Sequence, residues 1–182
     1  MSSIIGKVGF AAVLATLLVG GPARAVEISP YFPLPNSFDT KGVVKDSVLE
    51  QQIAWLNDGL AALEKARQET QAQLEKNASD AALQDKLKSL EGQTAAAAKE
   101  RDVLTSDAAG KEAELARKNI VVGNLNKWIN ALARKATEQL KIAILKDGVE
   151  RDAAERRHIQ LSGQADELEK LKHDPSFEAW GR

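Results

Sequence analysis

Glu155 and His158 stand three residues apart in a helix-forming stretch, which places a carboxylate and an imidazole on one helical turn. A carboxylate-bridged di-iron bundle uses two such steps and two further glutamates. The second histidine, His173, has Lys170 three residues before it, and Arg156 and Arg157 sit inside the first step, where they oppose a cation. Metal binding is therefore not expected. Two histidines in polar stretches and no cysteine leave no nucleophilic triad, no thiolate metal site and no covalent haem attachment. The glycines are scattered and form no phosphate cradle. The sequence predicts no cofactor and no enzyme.

Other side chains suit binding better than catalysis. Lys127, Arg134 and Lys141 are spaced by seven and fall on one helical face. Such a row suits an anionic surface, such as lipid headgroups or an acidic polymer of the cell envelope. The overall negative charge favours the other reading, a solvated face or a flank paired with an acidic helix. Trp128 lies beside an apolar seam and reads as core, although tryptophan is also the residue most enriched at binding hot spots. Trp180, beyond the helix-stopping Asp174-Pro175, is divided evenly between docking and core. Tyr31 and Phe32 lie among Pro30, Pro33 and Pro35, which forbid a helix and favour an extended path. That segment either covers a seam of the helices or docks on a partner.

The elements that must carry these residues are helices. Leu49, Ile53, Leu56, Leu60 and Leu63 alternate steps of four and three, the spacing of one apolar stripe. The helix is expected to begin at Asp46 or Ser47, with Glu50 completing a capping box. The stripe turns polar at Arg67 and Thr70, then slips by nine residues between Leu74 and Leu83 across Asn77-Ala78-Ser79-Asp80. No undistorted helix keeps its seam across that slip. A second run follows through Leu83, Leu87, Leu90, Thr94, Ala97 and Leu104. A reversal is expected at 105–110, with Ser106 or Asp107 capping the next helix. That helix carries Leu115, Val122, Leu125, Ile129, Leu132, Ala136 and Ala143 as its seam, flanked by Val121, Trp128, Leu140 and Ile142. Its wide face suits more than one neighbour. Asp147-Gly148 ends or bends it, and a more polar helix runs to about His173.

The first residues read as an export signal. Lys7 precedes a 13-residue apolar run and the small-x-small site Ala23-Arg24-Ala25, a run shorter than the ~20 residues of a membrane-spanning helix. Loss of residues 1–25 removes two of the 25 basic residues and none of the 26 acidic ones, for a net charge of −3. A nucleic-acid partner is not expected at that balance. Charge is uneven: 46–102 holds eleven acids and seven bases, and 117–146 holds seven bases and one acid.

The sequence therefore predicts an all-α protein. Its architecture is an antiparallel coiled-coil hairpin, with 46–102 returning along 111–172, or a four-helix-type bundle, behind an extended Pro-rich N-terminal segment. The expected divisions are a signal at 1–25, an extended segment at 26–45, helices at 46–173 and an aromatic tail at 174–182. An unbent arm of about 55 residues would be ~80 Å long and poorly buried. Folding back at Asn77–Asp80 and near Gly148, or self-association, is the expected remedy. The general look is shared by periplasmic holdase chaperones, activators of division hydrolases and secretion-system accessory subunits. Chaperones with a β-stranded trimer body are not matched. Those with Leu-Thr-x-x-Gln repeats are not matched either, since Leu104-Thr105 is followed by Ser106-Asp107-Ala108. The expected role is a periplasmic or secreted scaffold, adaptor or secretion accessory that binds an envelope protein or a second copy of itself. A holdase chaperone, or a bundle that binds a small ligand or a stress metal, is the alternative.

Overall fold

The computed structural model describes residues 29–35, 38, 40 and 42–180. The expected signal segment lies outside them. Among the described residues every regular element is a helix: α1 (Val44–Lys76), α2 (Ala81–Thr105), α3 (Lys111–Leu145), α4 (Gly148–Lys172) and the short α5 (Pro175–Ala179). The uninterrupted hairpin is not formed. The chain folds back at both expected places, so that α1 packs along α2 and α3 along α4. The acidic stretch thus returns on itself, and the basic stretch of α3 lies along α4 rather than along α1–α2.

Local chemistry explains the breaks. At Asn77–Asp80 the Asp80 carboxylate accepts from the Leu83 amide at 3.1 Å and starts α2. Lys146, Asp147 and Gly148 reverse the chain between α3 and α4 within three residues. Gly148 has φ +62°, a backbone region that an L side chain resists. Asp174 caps α5 through the Ser176 amide at 2.9 Å, and Pro175 occupies the first turn, where its missing N–H costs nothing. The expected C-terminal tail is therefore a turn of helix.

Two expected caps are corrected. The residue before α3 is Gly110; Ser106 instead accepts from the Ala108 amide inside the loop, and Arg117 donates to the carbonyls of Ser106 and Ala108. α1 begins at Val44, and Val43 provides no side-chain cap. The Lys45 amide donates to Ser176 Oγ at 3.0 Å, so a side chain 131 residues away satisfies a first-turn N–H. That tertiary cap lets the helix start ahead of Asp46.

The buried line of α1 is Val48, Gln52, Leu56, Gly59, Leu63, Ala66 and Thr70. Leu49, Ile53 and Leu60 flank it, half-buried. Leu56 and Leu63 of the apolar stripe lie at the centre of the seam and the other three form one edge; the rest of the centre is small and polar residues with Val48. In α2 the buried line is Leu90, Ala97 and Leu104, spaced by seven as expected. In α3 it is Val121, Asn124, Leu125, Trp128, Leu132, Ala136 and Ala143. Leu115, assigned to that seam, is exposed, and so are Leu140 and Ile142.

The two helix pairs meet where α1 crosses α3 and the start of α3 passes the end of α2. α5 closes the same end: Phe177 and Trp180 are buried, with ring centroids 6.0 Å apart. The Lys45 ammonium lies 5.2 Å from the Trp180 ring centroid, and Lys118 Nζ donates to the Trp180 carbonyl at 3.3 Å. The core is thus concentrated at one end of the molecule, under the N-terminal segment and α5.

Candidate functional site

At the crossing of α1 and α3, polar side chains are buried on purpose-fitted partners. Gln52 is fully buried; its amide donates to the Val121 carbonyl at 2.9 Å and accepts from Asn124 Nδ2 at 3.2 Å. Asn124 Nδ2 also lies 3.3 Å from Glu100 Oε2 of α2. Lys127 Nζ reaches Asn124 Oδ1 at 2.9 Å and Glu100 Oε1 at 3.3 Å. Three helices are keyed together by one network, and such networks fix register because an unsatisfied buried member costs about 1–3 kcal/mol.

One turn further along α1 the network gives way to aromatic rings. Trp55 meets Trp128 edge to face at 5.1 Å, Phe38 meets Trp128 at 5.3 Å, and Phe32 meets Trp55 at 5.1 Å. Edge-to-face and tilted pairs of this kind add about 0.5–1.5 kcal/mol each beyond area burial. Trp128 is fully buried, and its Nε1 has no hydrogen-bond partner among the described residues.

The N-terminal segment docks here. The Phe32 amide donates to the Ser29 carbonyl at 2.9 Å, which turns the chain so that the Phe32 ring enters α1 beside Gly59. A Cβ at Gly59 would lie 2.0 Å from Phe32 Cε1, so the ring occupies the space that any other residue would fill. Trp55 Nε1 donates to the Pro33 carbonyl at 2.8 Å, and Ser29 Oγ donates to Gln93 Oε1 of α2 at 2.7 Å. Tyr31, Leu34 and Phe38 pack half-buried against the core. The segment covers a seam of the helices.

Past this segment lies an open cleft of about 740 Å³. Pro30, Pro33, Leu34 and Pro35 form one side of it; Arg134, Lys135 and Glu138 of α3 and Arg157 of α4 form the other. The three residues of the basic row part company here. Lys127 is engaged with Glu100, Arg134 faces the cleft, and Lys141 stands exposed near the end of α3. Phe32, Trp128 and Trp180 are buried in the chain's own core, so docking through them requires that they first leave it.

The far end of α3–α4 has the opposite construction. From 133 to 160 the buried positions are Ala136, Ala143 and Ala154. The large apolar residues of the same stretch face water: Ile144 is 73 % exposed, Leu145 80 %, Val149 81 % and Ile159 68 %, and Leu140 and Ile142 are also exposed. At about 100° per residue, Ile144, Leu145 and Ile142 lie about 100° or more from Ala143 around α3, with Lys141 among them, and Leu140 lies only about 60° from it. Leu140 and Ile142, expected to flank the seam, are exposed instead. Ala136 and Ala143, both expected on the seam, are buried there.

His158 Nδ1 lies 2.9 Å from the Ala136 carbonyl across the α3–α4 contact, and Glu155 is bridged by Arg151 at 2.9 Å. Among the described residues no three His, Cys, Asp or Glu are placed to hold a metal ion, and no helix is long and apolar enough to cross a membrane. Compared with protein-family models, curated proteins and solved structures, the chain matches none.

Proposed function

We infer that the chain is an exported helical interaction protein, acting in the cell envelope as a scaffold, adaptor or secretion-system accessory. Its contact surface is the far end of α3–α4. One observation carries this reading: the alanine seam with Ile144, Leu145 and Val149 turned out to water. Large apolar side chains clustered at the end of an arm, away from the core, mark an interaction site. Export is supported by the signal-like residues 1–25, and a binding role in place of catalysis by the absence of a convergent titratable cluster in the sequence.

A photo-crosslinking residue placed at Leu145, in cells, tests this against the same residue at Ser79 in the polar turn of α1–α2. The expected outcome is a discrete envelope adduct from position 145 and none from 79. Silence at 145 overturns the reading. The same bare side chains favour a holdase chaperone as the second reading. In that case position 145 gives many adducts of different mass, and the purified protein suppresses aggregation of an unfolded client.

A further inference from the structure

Arg134, Lys135 and Arg157 converge from two helices on the open cleft of about 740 Å³ past the N-terminal segment. Arg134, Lys135 and Glu138 on α3, and Arg157, Leu161 and Gln164 on α4, follow helical steps of three and four, so each helix turns one stripe into the groove between them. The lining carries three cations against one carboxylate, Glu138. Arginines elsewhere on the helices are bonded within the chain: Arg67, Arg101 and Arg151 donate to carboxylates and Arg117 to two carbonyls. In the cleft Arg157 donates to the neutral Gln160 Oε1 at 2.8 Å, and neither Arg134, Lys135 nor Glu138 has a hydrogen-bond or ion-pair partner among the described residues. Arg156 is unpaired as well, but it does not line the cleft.

The rest of the lining is apolar. Pro30, Pro33 and Pro35 give a stiff wall that is held in place by the docked segment, and the buried Leu132 and Leu161 lie among the lining residues. A cleft of this size falls within the range of small-ligand sites, about 300–1,000 Å³. Guanidinium forks match a carboxylate through two parallel N–H bonds, and an apolar wall beside them takes a hydrocarbon part out of water.

We propose that the cleft binds a small amphiphilic carboxylate, its head held by Arg134 and Arg157 and its hydrocarbon part laid along the prolines and leucines. Lys135 adds attraction, and Glu138 opposes it. The cleft is separate from the apolar tip of α3–α4, so this assignment and the interaction reading stand or fall independently.

Isothermal titration of the full chain with dodecanoate, kept below its micelle-forming concentration, tests it. One-to-one binding is expected, weakened about tenfold by Arg134→Gln and by Arg157→Gln, the loss of one charge-assisted contact. Glu138→Gln should tighten it, and Leu145→Ser at the tip should leave it unchanged. All four side chains are exposed, so helical circular dichroism should stay that of wild type. On the wild-type chain, dodecanol lacks the charge and acetate lacks the tail, and each should bind about tenfold more weakly or worse; that comparison holds even where a variant fails to fold. No saturable heat at millimolar dodecanoate overturns the proposal. Affinity unmoved by both arginine changes, or lost with Leu145→Ser, places the ligand on another surface and overturns it too, as does dodecanol binding as tightly as dodecanoate.

Discussion

The base and the tip of the α3–α4 pair are made from the same two helices with opposite choices of side chain. At the base Leu125, Trp128, Leu132, Leu161 and Leu168 fill the seam, and α1, α5 and the N-terminal segment cover the outside. At the tip alanines fill the seam, and the leucine, isoleucine and valine side chains lie outside it. Each alanine in place of a leucine forgoes roughly 2 kcal/mol, at about 0.8 kcal/mol per buried CH₂. The base therefore holds the fold, and the tip is held by helix formation and modest packing. The buried core and the exposed apolar side chains lie at opposite ends of one arm.

The sharpest way to break that contrast is at the base. Trp128→Ala removes the ring shared by Trp55 and Phe38 and should cost about 3–5 kcal/mol in urea unfolding. Gly59→Ala is next. In an open helix this change stabilises by about 1 kcal/mol. Here the Cβ collides with Phe32, and a net loss of about 1–3 kcal/mol is expected. In a Phe32→Ala background the collision is gone and Gly59→Ala should become stabilising, a sign reversal that a double-mutant cycle reads directly. Amide exchange should follow the same geography, with α3–α4 amides beyond Ala136 exchanging faster than those around Leu125 and Leu168.

The smallest effect is electrostatic. The Arg67 guanidinium bridges Glu64 and holds its carboxyl below the ordinary value, and Lys172 does the same to Glu169. A lowered carboxyl contributes stability that is fully present above its unfolded pKa and is lost as pH falls through the folded one. These pairs should leave the unfolding midpoint flat from pH 8 to about 5 and weaken it only in acid below the usual carboxylate range. Arg67→Gln should remove part of that acid dependence. Both carboxylates are about half open to solvent, so screening keeps the change slight.

The all-helical class, the folds at Asn77–Asp80 and Gly148 and the seven-residue line of α2 were legible because periodicity and cap chemistry are local. The line of α1 was right at Leu56, Leu63 and Thr70 and off by one residue between them, because Gln52, Gly59 and Ala66 do not register in an apolar count. Gln52 is buried because Val121 and Asn124 arrive from α3, and Gly59 because Phe32 does, and no local pattern announces that. Gly59 alone left a trace, a glycine in the middle of a helix-forming stretch. The start of α1 was unreadable for the same reason, since its cap is Ser176. At the tip the apolar spacing of Leu140 and Ile142 looks the same whether a residue faces a partner helix or water, while Ala136 and Ala143 lie on the seam where the spacing put them.

The large apolar side chains of the tip, exposed to water, contribute next to nothing to the stability of the fold. Urea unfolding of the triple variant Ile144→Ser, Leu145→Ser, Val149→Ser tests it most directly. The account predicts a midpoint and slope like those of wild type, with each change worth no more than about 0.5 kcal/mol. A loss of several kcal/mol, as for leucine-to-alanine changes in a core, would show that these residues pack within the molecule and would contradict it.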